Sequence, residues 1–84
     1  MAYHISIIKV EDSGGSVKYK FGPTSSSYHS YDHGLFEINT KTGEITLLKG
    51  VTADVKNNYY MRASFKILTC WRQGSLPEQE EWAS

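Results

Sequence analysis

The sequence predicts an all-β fold in a single domain, an antiparallel sandwich or small barrel. Short apolar/polar alternations recur along the chain, and Gly- and Ser-rich breaks separate them. No helical crossover stands between the alternating segments, which disfavours a parallel sheet. With 84 residues the chain is one domain. A chain this short buries about 60–65% of its unfolded surface, so its core is small. Three Phe, six Tyr and two Trp offset this with large buried areas per side chain.

The first strand is expected over Tyr3–Val10, where Tyr3, Ile5 and Ile7 share one face. Asp12-Ser13-Gly14-Gly15 stops it, because the glycines accept the positive φ angles of a tight turn. Ser16 to Phe21 alternates again, with Val17, Tyr19 and Phe21 opposite Lys18 and Lys20, completing a hairpin. Gly22 to Gly34 has no sustained period and reads as a long surface loop. Leu35–Ile38 is a short strand, Lys41-Thr42-Gly43 a turn, and Glu44–Leu48 the returning strand. Lys49 to Asn57 is a second connection. Asn58–Thr69 is the longest predicted strand, with Tyr59, Met61, Ala63, Phe65 and Ile67 on one face. The domain is therefore placed at residues 1–72. Residues 73–84 read as a tail, frayed or forming one short helical turn at Ser75-Leu76-Pro77-Glu78.

Composition narrows function more than it assigns it. Nine basic and nine acidic residues cancel, without the clustered basic excess of a nucleic-acid binder. No apolar stretch approaches the roughly 20 residues of a membrane span. The single Cys70 excludes an internal disulfide framework and reads as a small buried hydrophobe. His29 and His33 sit four apart, but in a Ser- and Gly-rich loop where that spacing has no helical meaning. No Ser or Cys lies in a strand–turn–helix elbow, and Gly14-Gly15 falls between strands rather than before a helix. The chain is read as non-catalytic. Glu11, Asp12 and Asp54 are the carboxylates nearest to a divalent-cation set. Tyr28 and Tyr31, with Tyr60, are candidates for an exposed aromatic contact patch, the alternative being packing over the sandwich edge.

The run Phe36-Glu37-Ile38-Asn39-Thr40-Lys41-Thr42-Gly43-Glu44-Ile45-Thr46-Leu47 resembles the middle of a cadherin repeat, where a Phe-x-Ile-Asp strand precedes a Thr-Gly-Glu-Ile turn and strand. Val10-Glu11-Asp12-Ser13-Gly14-Gly15-Ser16-Val17-Lys18-Tyr19-Lys20-Phe21 is similar to the family's Asp-x-Asp segment and following Val-x-Tyr-x-Phe strand. Tyr59-Tyr60-Met61-Arg62-Ala63 resembles its Tyr-x-Leu-x-Val strand. The likeness spans about Tyr3 to Ile67.

It implies a cadherin-like, immunoglobulin-like Greek-key β-sandwich lacking the first strand, with an irregular C-terminal tail. It further implies a protein–protein interaction module in cell adhesion, extracellular or at the cell surface as part of a larger protein. The partner would be a protein, homophilic binding included, and an edge left bare beside Asn58–Thr69 would favour dimerisation. The alternative is a carbohydrate- or ligand-binding β module of a larger secreted protein.

The departures bear on calcium. Asp12 matches one Asp of the family's pair and Val10 stands at the other. Val51-Thr52-Ala53-Asp54 keeps one carboxylate of the family's Leu-Asp-Arg-Glu, and the terminal Asp-rich linker has no counterpart. Glu11, Asp12 and Asp54 alone compensate a divalent ion poorly. Isothermal titration with calcium is expected to give weak or no binding, and micromolar affinity would contradict it.

Overall fold

A computed structural model describes residues 4–23, 33–51 and 56–83. Its elements run β1 (His4–Asp12), β2 (Ser16–Pro23), β3 (Gly34–Asn39), β4 (Ile45–Lys49), α1 (Asn58–Arg72) and β5 (Gln79–Ala83). The strands form one antiparallel sheet in the order β4-β3-β2-β1-β5. β1 to β4 are a meander of neighbours. α1 then crosses one face of the sheet, and β5 closes against the far side of β1.

The alternation in the first four strands places their buried apolar residues on the helix side, while Ile8 and Leu35 turn to the open face. Ile7 lies opposite Phe21, Tyr19 opposite Phe36, Val17 opposite Ile38, and Ile38 opposite Ile45. Ile5, Ile7, Tyr19, Phe21, Phe36 and Ile38 are fully buried, with Ala63 and Ile67 of α1 over them. Ring centroids of Tyr19 and Phe36 are 5.7 Å apart, and Tyr60 of α1 lies 6.1 Å from Phe21 and 6.2 Å from Phe36. These offset and edge-on contacts tie the helix to the middle of the sheet. Gly34 is buried against the Phe21 ring, which a Cβ at this position would strike.

The β3–β4 turn is built by Asn39 and Gly43. The Asn39 side-chain oxygen accepts from the backbone N–H groups of Lys41 (2.9 Å) and Thr42 (3.2 Å), which holds the turn locally. Gly43 has φ 78°, and its N–H donates to the Asn39 carbonyl. A Cβ on Gly43 would come within 2.6 Å of the Trp71 ring. Trp71 in turn donates its indole N–H to the Thr40 carbonyl at 2.8 Å. The last turn of α1 is thereby clamped to this hairpin.

Two expectations are corrected. Asn58–Thr69 is not a strand but lies in a 15-residue helix that occupies the place of a second layer. Tyr60, Ala63, Ile67 and Trp71 recur at helical spacing and all pack toward the sheet. The strand reading also fitted because Met61, Phe65 and Leu68 make a second apolar stripe. With residues on two stripes, alternation and helical period overlap. The second sheet of a sandwich is not formed among the described residues. The bare edge expected beside Asn58–Thr69 is likewise replaced, since β4 and β5 border the described sheet.

The other correction is residues 79–83, which form β5 rather than a frayed or helical tail. The segment before it ends a helix rather than starting one. Gly74 (φ 87°) donates to the Trp71 carbonyl and Ser75 to the Cys70 carbonyl, the paired bonds of a Schellman C-cap. Pro77 and Glu78 then dock on β1 and β2: the Tyr19 hydroxyl donates to the Pro77 carbonyl at 2.7 Å, and the Lys9 N–H to the Glu78 carbonyl at 2.8 Å.

Burial pushes the Tyr19 phenol well above the usual tyrosine range. The folded state therefore favours its neutral form, and that stabilisation is complete below about pH 10, the ordinary phenol range, and declines as pH rises beyond it. Tyr19→Phe should lower the unfolding free energy by about 1 kcal/mol at neutral pH, since it strands the Pro77 carbonyl. It should also flatten the loss of stability above that pH. Urea unfolding of both proteins across the alkaline range checks both effects.

Candidate interaction surface

The side of α1 turned away from the sheet mixes polar residues, Arg62, Thr69 and Arg72, with a short apolar ridge on the flank toward β4. Met61 is 59% exposed and Phe65 57%, one turn apart, with half-buried Leu68 beyond them. For large apolar side chains placed side by side, this is unusual exposure in so small a chain. A shallow cleft flanks the ridge on each side. One, of about 340 Å³, lies toward β4 and is lined by Gly43, Ile45, Met61, Ser64, Phe65 and Leu68. The other, of about 360 Å³, lies toward β5 between Met61, Arg62, Phe65 and Trp82.

The helix leaves these clefts because it is narrower than the sheet. Its main contacts are with β1, β2, β3 and β5, so β4 is only partly covered. On the β5 side, Trp82 lies opposite Ile5 and meets Phe65 edge-on at 6.2 Å. The rim is charged unevenly. α1 carries Arg62, Lys66 and Arg72 and no carboxylate, whereas Glu78, Glu80 and Glu81 cluster at β5.

Among the described residues, the two groups whose protonation is clearly displaced, Tyr19 and Cys70, lie away from both clefts. Burial, and secondarily Glu80, pushes the Cys70 thiol up, with its Sγ 3.8 Å from a Glu80 carboxylate oxygen. Such a thiol is a weaker nucleophile near neutral pH than an exposed one.

The residues singled out from sequence fall elsewhere. Glu11 pairs with Lys18 at 3.4 Å. Asp12 accepts from the Gly14 N–H at 3.0 Å and faces the Lys9 ammonium at 3.7 Å. These carboxylates serve the β1–β2 hairpin. Asp54, their proposed companion, lies outside the described residues, as do Tyr28, Tyr31 and His29. Among the described residues no three His, Cys, Asp or Glu side chains gather as a metal set. Tyr60 is half-buried and packs inward on Phe21 and Phe36, so it belongs to the core contact rather than to an outer patch. Met61, Phe65, Leu68 and Trp82 were not anticipated as a surface. The signal for three of them is the spacing 61, 65, 68, visible once the segment is read as a helix.

No family model, curated protein or solved structure matches the chain.

Proposed function

We propose that this chain is a non-catalytic protein-interaction domain whose contact surface is the outer ridge of α1. The observation that carries this reading is the exposure of Met61 and Phe65 between two apolar clefts. Leaving such side chains in water forgoes burial worth roughly 1.5–3 kcal/mol each, which a partner would recover. The clefts are shallow and apolar, suited to knobs from an amphipathic segment rather than to a polar small molecule. Arg62, Lys66 and Arg72 favour a partner whose apolar residues are bordered by carboxylates.

A cell-surface adhesive setting is part of the proposal on one ground, the likeness of Phe36–Leu47 to a cadherin repeat. The helix at Asn58–Arg72, where that family has a strand, lends it no support. The interaction reading stands without it.

The test is titration with a helical peptide carrying Leu at i, i+4 and i+7 and Glu at flanking positions, against the same peptide with Lys for Glu. NMR shift changes are expected at Met61, Phe65, Leu68 and Trp82, with the acidic peptide binding about tenfold more tightly, or ~1.4 kcal/mol. Phe65→Glu should abolish them while keeping the circular dichroism of the parent. Scattered shifts, or equal binding of both peptides, would contradict the proposal.

A further inference from the structure

The two outer strands of the sheet differ in a way that bears on self-association. β5 carries Glu80 and Glu81, and antiparallel self-pairing would bring these like charges together. β4 reads Ile-Thr-Leu-Leu-Lys, with its uncharged residues in the middle and Glu44 and Lys49 at opposite ends. Among the described residues nothing pairs with its outer side.

The backbone of β4 is set for pairing. Its Glu44 carbonyl accepts from the Asn39 N–H at 2.8 Å, so Glu44 turns its carbonyl toward β3. By the alternation of an antiparallel ladder Thr46 does the same, while Ile45 and Leu47 present theirs outward. Leu35 lies opposite Lys49 and Phe36 opposite Leu47, which makes Leu48 an extra residue in the strand. Ile45 and Leu47 share the helix side, and Thr46 and Lys49 the open side.

We propose that two copies of the chain dimerise by antiparallel pairing of β4 with β4, about a two-fold axis at Thr46. Every cross-strand pair is then favourable. Thr46 meets Thr46 as a non-hydrogen-bonded pair on the open face. Ile45 meets Leu47 of the other copy twice on the helix face, exchanging four outward backbone hydrogen bonds. Because of the extra Leu48, Glu44 meets Lys49 twice, as opposite charges. An axis perpendicular to the sheet keeps both helices on one face. The β4-side clefts, with Met61 and Leu68, then border the junction. This inference concerns the strand edge and holds whether or not the α1 ridge binds a partner.

Light scattering after size exclusion, over a range of concentrations, should give twice the 9.5 kDa chain mass at the upper end. Thr46→Lys should weaken association about tenfold by opposing two ammoniums. Thr46 is exposed and lies opposite Glu37, so the monomer gains a cation–carboxylate neighbour and keeps its fold. Lys49→Glu should weaken association about fivefold, and Glu44→Lys with Lys49→Glu should restore it. Thr46→Cys with Cys70→Ser should form a disulfide-linked dimer on oxidation. A wild-type monomer at millimolar concentration, a dimer indifferent to Thr46→Lys, or a charge swap without restoration would overturn the proposal.

Discussion

The seating of α1 on the aromatic centre of the sheet is the contact on which the rest of the molecule depends. A five-stranded sheet with one apolar face must cover that face, and here fifteen residues do most of the covering. Tyr60 meets Phe21 and Phe36 near the start of the helix, and Ala63 and Ile67 fill the middle. Trp71 closes the end, with its ring over Gly43 and its indole N–H on Thr40. The clamp reaches a turn that Asn39 has already shaped, so helix position and hairpin geometry support each other.

What the helix fails to cover follows from its size. Lying across β1, β2, β3 and β5, it leaves clefts on both flanks and β4 partly bare. Its buried stripe uses about half of its apolar side chains, and Met61 and Phe65 remain outward. The surface features that suggest function are therefore consequences of covering a wide sheet with a single helix. The ridge and the β4 edge are separate surfaces, one made of side chains and the other of unpaired backbone.

The sequence was legible where one pattern had one explanation. In β1 to β4 the buried apolar residues fall on a single face, with Ile8 and Leu35 on the other, and both hairpins, the glycine turns and most of the core follow from period two. Asn58–Arg72 was ambiguous because its apolar residues occupy two helical stripes, and every second position happened to be apolar. Only the demand of the sheet for cover separates the readings. β5 was hidden for another reason: Trp82 is the one large apolar residue in Gln79–Ala83, and the strand forms because β1 offers a ladder and Phe65 a contact. A strand reading makes Tyr60 a candidate for a contact patch because a strand turns it away from Ala63 and Ile67, whereas the helix turns it with them.

The most direct test of this account is NMR assignment of residues 58–72. Helical Cα and Cβ shifts across the segment, with nuclear Overhauser contacts from the Tyr60 ring to Phe21 and Phe36, are the predicted result. Extended shifts, with cross-strand contacts from this segment to a neighbouring strand, would contradict it and favour a second sheet in place of the helix.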